Sequence, residues 1–408
     1  MSHFDDILSN TPLALGEYVT LPNLGGDIPV YEGVFSLKGD KSIVNITGRI
    51  YYSFCEKIEL LFEGKTEESS IELCGKTVDV IVGEQYAGQA LVGEVSEISI
   101  KGHILFLETN ITESCERWRW CYLNGPWIFG GNVRRNRTVS TDRLVFQDGG
   151  YEIIMDNKAG YKQQKSHRAI SHFCELRHKD GTPITRVDAL GEILTFTRFF
   201  SFVAGCKYAP FFIEGLMKDR VVYEYHSIGL DNSLISVSSW KPDFKDIDLI
   251  PLWCLFRSKY FESNDQSDIL NTVVHWYLQA NMNSGLLEGA IILGFTGIEL
   301  LSKEIVGKEL SNVEIMKDFV KRLHLDPPVD PEDLAHTRNL LMHYKSENRR
   351  HKYNILAYED KVLRLEALLQ ILELAILYWL GYEGRYADRM HCGWRGSNAG
   401  QVPWSIKP

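Results

Sequence analysis

The hydrophobic period changes once along this chain, and that change limits the fold more than any other feature. From about Thr20 to Glu108 apolar residues alternate with polar ones. Val44, Ile46 and Ile50 alternate with Asn45, Thr47 and Arg49, Ile58, Leu60 and Phe62 with Lys57 and Glu59, and Val78, Val80 and Val82 fall on every second position. A period of two lines one face of a strand. Gly25-Gly26, Gly39-Asp40 and Glu63-Gly64 read as turns between such runs. Short antiparallel strands forming a sandwich or open barrel are therefore expected. Beyond residue 265 the spacing becomes three and four, over Ile269–Met282, Leu286–Val306, Val313–Leu323, Pro331–Tyr344 and Ile355–Tyr382, with Ser284-Gly285, Gly307 and Asp326-Pro-Pro328 as breaks. Four or five helices joined by short loops make an antiparallel bundle.

Between these regions the pattern is mixed. Strand signals fall around Arg143–Met155, Ser171–His178 and Val221–Tyr225, while Ala189–Phe202 has helical spacing. The stretch Trp240–Ser267, rich in Pro, Asp and Ser, reads as a connector into a helix N-cap. The expected class is α+β: a β-rich region over 1–260, one unit or two split near 110, an all-α domain over 265–385, and a tail over 386–408.

A net charge of -10 excludes a protein coated in basic surface, so any nucleic-acid contact must be local. The eight cysteines are scattered without a C-x-x-C pair, which is neither a disulfide framework nor a zinc ribbon. The N-terminus lacks the basic and apolar regions of a signal peptide. Reduced thiols and a cytoplasmic location are expected. The most apolar stretches, Leu286–Leu301 and Leu365–Leu380, carry Glu288, Glu299, Glu366 and Glu373. A lone membrane span would bury each at ~2.5–3.5 kcal/mol, so core helices, not membrane contact, are expected.

One segment departs from the acidic background. From His336 to Lys352, Arg338, Lys345, Arg349, Arg350 and Lys352 face Glu347 alone, a local excess of four positive charges. Such a contrast marks a candidate phosphate-binding surface. Asn339 and His343, four apart, project from nearly one helix face, and the long stem of Arg338 can bring its guanidinium to the same cleft. An imidazole can move a proton to or from a ribose 2′-hydroxyl or a leaving 5′-oxygen. A guanidinium can hold phosphoryl oxygens as charge builds, and the carboxamide can orient either partner. Such a transesterification needs no metal or other cofactor. Mid-helix Arg and His are otherwise ordinary solvated or ion-paired residues.

The run Arg338-Asn-Leu-Leu-Met-His343, in a C-terminal all-α region and preceded by a long apolar helix bearing Glu299, resembles the Arg-x4–6-His signature of the HEPN superfamily. The resemblance covers about 265–385, and Asn339 fits the small polar residue common after the arginine. The β-rich region followed by Leu190–Phe200 and a return strand is similar in layout to ApeA-type anti-phage HEPN proteins. The resemblance implies a metal-independent endoribonuclease that dimerises through its helical domain. Catalysis would rest on Arg338, Asn339 and His343, and RNA contact on Lys345, Arg349, Arg350 and Lys352. It also implies abortive infection as the role, with a phage-derived trigger at the N-terminal region. Some members are inactive scaffolds; a non-catalytic scaffold of that kind, or a ligand-binding protein acting through the β-rich region, is the alternative here.

Other features have simpler readings beside the functional ones. Glu299 in an apolar helix needs a partner, and a pairing with a basic residue of the motif helix is expected rather than catalysis. His167, His172, Cys174 and His178 cluster within a short span, yet a tetrahedral zinc site from such spacing needs help from elsewhere, so no metal is assigned. Arg134-Arg-Asn-Arg137 reads as a solvated loop that would otherwise assist nucleic-acid binding. Trp118, Trp120, Tyr122 and Trp127 read first as core, and second as a surface that stacks bases, a sugar or another ligand of the β-rich region. No Gly-rich phosphate loop opens a helix.

Overall fold

The computed structural model describes residues 10–16, 26–54, 57–68, 71–96, 98–109, 114–161, 168–229, 239–241, 244–282, 286–342, 353, 356–390 and 399–405. It contains two compact units, 1–194 with 208–234, and 195–207 with 235–408.

The first unit is antiparallel β structure. Strands β1 (Asp27–Lys38), β2 (Ile43–Ser53), β3 (Glu59–Lys65), β4 (Thr77–Val82), β5 (Tyr86–Val95) and β6 (Ser99–Thr109) pair in the cyclic order β1-β2-β3-β6-β5-β4. The β1–β4 and β3–β6 pairings close the barrel, which leaves these strands fewer free edges to protect. Val44, Ile46, Ile50, Leu60, Phe62, Val78, Val80 and Val82 all point into its buried core, as their period of two requires. Gly39 is a turn, its N–H donating to the Ser42 carbonyl at 2.9 Å. Glu63-Gly64 is not a turn: it lies within β3, where Gly64 pairs with Gly48. A Cβ on Gly48 would sit 2.1 Å from the Glu63 carbonyl oxygen, and one on Gly64 2.7 Å from that of Thr47. Both glycines serve close backbone approach between curved strands rather than a reversal.

The sheet continues from β6 through β15 (Arg220–Ser227), β14 (Phe211–Met217), β8 (Arg117–Leu123), β12 (Ile170–His178), β11 (Tyr151–Asn157), β10 (Thr138–Asp148) and β9 (Gly131–Arg135). Two-residue strands β7 (Ser114–Cys115) and β13 (Ile184–Thr185) pair separately. Trp118, Trp120 and Tyr122 are fully buried, so they are core and cannot stack a ligand; Trp127 is 39% exposed. Arg134 and Arg135 belong to β9, not to a loop, and Arg135 is ion-paired with Asp142 at 2.9 Å. The N-terminal segment runs along that edge. Ala14 N–H donates to the Arg134 carbonyl at 2.9 Å, and the buried Arg143, paired with Asp156 at 2.7 Å, also donates to the Leu13 carbonyl at 2.8 Å.

A transverse row of charge crosses this sheet. Glu224 of β15 faces Glu214 of β14, which faces Arg119 of β8, which faces Glu175 of β12. Burial, and then the adjacent Glu224, push the Glu214 carboxyl up from 4.5 to about 7, against the pull of Arg119. A carboxyl raised on folding stabilises the fold at low pH and loses that contribution as pH rises through its folded value. Glu214→Gln should therefore match the wild type below pH 4.5 and become relatively more stable as pH rises to about 7, levelling off above it. Amide exchange of β14 and β15 measured across that range checks this; a pH-independent difference would contradict it.

The second unit is helical. It takes the later part of α1 (Arg186–Ala204), then α2 (Asp246–Tyr260), α3 (Asn264–Asn281), α4 (Leu286–Val306), α5 (Asn312–Arg322), α6 (Pro331–Met342) and α7 (Tyr358–Trp379). The supposed connector Trp240–Ser267 is corrected by α2, whose buried Leu249, Leu252, Trp253 and Phe256 have helical spacing obscured by Pro251. Phe196 and Phe199 of α1 meet Trp253 edge-on at 5.2 and 5.3 Å. Ser263 caps α3, accepting from Gln266 N–H at 3.2 Å. The tail is folded too, with β16 (Arg385–Ala387) pairing with β17 (Ala399–Gln401). Among the described residues no helix is long and apolar enough to cross a membrane.

Candidate functional site

The motif helix is held from three sides. Asp330 precedes Pro331, a residue suited to the first helical position, and its carboxylate accepts from Glu332 N–H at 2.7 Å. From α7, Arg364 donates to the Asp333 carbonyl at 3.2 Å and to the Thr337 hydroxyl at 3.1 Å. From α5, Lys317 pairs with Glu332. Helix α4 lies close to α7 because Gly294 and Gly297 leave room for Leu368 and Leu372, which a Cβ would meet at 3.1 and 3.0 Å. With Gly294 and Gly297 turned to α7, Glu299 falls on the half-exposed side of α4.

These constraints bring Glu299, Asn312, Arg338 and Asn339 together. Arg338 Nη2 donates to Glu299 Oε1 at 3.0 Å, the pairing expected for a carboxylate in this apolar helix. The guanidinium also lies 5.9 Å from the Phe295 ring centroid, within cation–π range. Asn339 Oδ1 accepts from Asn312 Nδ2 at 3.1 Å and from Arg338 Nη1 at 3.4 Å. The Arg338 side chain keeps 19% of its surface in solvent and Glu299 26%, so the cluster is anchored and still reachable by a solute.

Of the residues singled out in the sequence, Arg338 and Asn339 are adjacent and hydrogen-bonded here. His343, Lys345, Arg349, Arg350 and Lys352 lie outside the described residues. Asn312 was missed by sequence reasoning. The signal was present: Ser311 and Glu314 form a capping box, which puts Asn312 at the first position of a helix. What spacing does not reveal is that this helix start meets the motif helix.

The histidine and cysteine group of β12 forms no such site. His172 is fully buried with Nδ1 2.8 Å from the Ser171 hydroxyl, and burial lowers its imidazole to about 3. Burial also raises the Cys174 thiol. His178 stacks on Tyr151 at 4.4 Å, and His167 lies outside the described residues. No group of three metal-ligating side chains gathers among the described residues.

A family model described as the YopA central domain matches residues 112–231, the stretch from β7 to β15. A curated relative, the SPbeta prophage-derived uncharacterized protein YopA of Bacillus subtilis (strain 168), is 23% identical over 435 residues, covering 93% of this chain and 95% of that protein. No solved structure matches the chain.

Proposed function

We propose that the helical unit is a HEPN-type, metal-independent endoribonuclease, with Arg338, Asn339 and His343 as its catalytic set. The observation that carries this reading is the Arg338–Asn339 cluster: a guanidinium fixed by Glu299 and a carboxamide fixed by Asn312, on the helix Pro331–Met342, with His343 the next residue in the sequence. In the proposed reaction the ribose 2′-oxygen gives up its proton and attacks phosphorus, and the 5′-oxygen leaves with a proton. The products are a 2′,3′-cyclic phosphate and a 5′-hydroxyl. One imidazole serves as base and another as acid when two copies face each other, so a homodimer completes the site. Lys345, Arg349, Arg350 and Lys352 would hold the flanking phosphates.

A relative described as prophage-derived agrees with a setting between phage and host. Growth arrest by RNA cleavage in the cytoplasm is the role proposed, with the β-rich unit as sensor of a phage component. The competing reading is a scaffold, and it draws on the same ion pair, since an arginine paired with Glu299 over Phe295 also staples α4 to α6. Alanine at His343 separates them. On the ribonuclease reading it abolishes RNA cleavage in EDTA while thermal unfolding is unchanged; unaltered cleavage by that variant removes His343 from the mechanism.

A further inference from the structure

The acceptor of Asn339 is already engaged. Asn339 Oδ1 receives two donors, Asn312 Nδ2 at 3.1 Å and Arg338 Nη1 at 3.4 Å, which uses both of its lone pairs. Glu299 Oε1 receives Arg338 Nη2 at 3.0 Å. Donors remain: no hydrogen bond within the described residues takes up Asn339 Nδ2, and the Arg338 Nε–H is likewise unassigned. Two N–H groups left open at the guanidinium and its neighbouring carboxamide favour an oxyanion.

We propose, resting on the ribonuclease reading of this cluster, that Asn312 is a positioning residue that turns the Asn339 amino group outward as a donor to the phosphodiester oxygens. A carboxamide left to itself rotates to suit its neighbours. In this site rotation by half a turn would set Asn339 Nδ2 against Asn312 Nδ2 and the Arg338 guanidinium, donor against donor, and would present an oxygen to the phosphate. Asn312 and Arg338, the two donors to that oxygen, therefore set the polarity of the site together. Asn339 then acts on the phosphoryl oxygens together with Arg338.

Asn312→Asp is the decisive variant. The new carboxylate accepts from Asn339 Nδ2 and so reverses the carboxamide. It also suits the first turn of α5, where a negative charge is favoured, so the helix is retained. Ser311→Asp carries the same charge one residue away, at a position where Asp caps well, and controls for charge alone. Total-RNA cleavage is measured together with the side-chain amide resonances of Asn339 during titration with inorganic phosphate. Asn312→Asp should lower kcat by roughly 10–100-fold with KM little altered, less than the roughly 10²–10³-fold loss of a whole oxyanion donor because the carboxamide is misdirected and not removed. Asn312→Ala, which removes the donor without adding charge, should fall between it and the wild type. Ser311→Asp should stay within about threefold, as a screened charge outside the cluster. Equal rates for Asn312→Asp and wild type, or equal losses in Asn312→Asp and Ser311→Asp, overturn the proposal while leaving the ribonuclease reading intact. Should the wild type cleave no RNA, that reading falls, and the titration still decides: a phosphate-dependent shift of the Asn339 amide lost in Asn312→Asp upholds the polarity argument. No shift in the wild type overturns it.

Discussion

Arg389→Ala should destabilise the helical unit by about 3–5 kcal/mol, the range for stripping one partner from a buried ion pair. Arg389 and Glu373 are each 2% exposed and paired at 2.6 Å, and a second guanidinium nitrogen donates to Glu366 at 2.7 Å. Glu373 also accepts from the Tyr277 hydroxyl at 2.8 Å. Burial pushes the Glu373 carboxyl up and Arg389 pulls it back. Without Arg389, Glu373 keeps only the Tyr277 hydroxyl as a partner, and it must stay charged without its counter-ion or take up a proton. The damage should shrink as pH falls and protonation becomes easier. Amide exchange of α3 and α7 reads this unit separately from the β-rich one, which a single unfolding midpoint does not. Protection retained to within 1 kcal/mol, a value typical of an exposed ion pair, would show that the network is dispensable.

That network shows why part of the fold is illegible in the sequence. The strands of the barrel and the helices α3 to α7 are readable because local period alone decides which face is buried: Val78, Val80 and Val82 in one case, Leu270, Val273, Val274 and Tyr277 in the other. Arg389 gives no such signal. Its partners Glu373, Glu366 and Asn281 are 16, 23 and 108 residues away, and a charged residue with no apolar period around it reads as solvated until the bundle that surrounds it is built. Glu63-Gly64 failed as a turn for a related reason, since glycine serves reversal and close approach equally and only the opposing Gly48 distinguishes them. Within the site, Arg338 and Asn339 were legible as a motif. Asn312 acts from another helix, and its role depends on how α5 meets α6.

Arg338→Ala should lower RNA cleavage by roughly 10²–10³-fold, the loss expected when one preorganised donor to a developing oxyanion is removed. Little stability should be lost, because Glu299 is partly solvated and can hydrate when its partner goes. Arg338→Lys should recover only a small part of the rate. A single ammonium cannot bond Glu299 and Asn339 as the guanidinium does and still present N–H groups to phosphate. Full activity in Arg338→Ala would mean that the Glu299 pair is a staple and nothing more.

The central claim, a metal-independent transesterification at the Arg338–Asn339–His343 site, is tested most directly by the ends of the RNA it produces. Purified full-length protein is incubated with total RNA in EDTA, and the products are probed for 5′-phosphorylation by a kinase without prior phosphatase treatment and for cyclic-phosphate-dependent ligation. The account predicts fragments with 5′-hydroxyl and 2′,3′-cyclic phosphate ends, absent with His343→Ala. Fragments bearing 5′-phosphates, or intact RNA at every protein concentration, would contradict it.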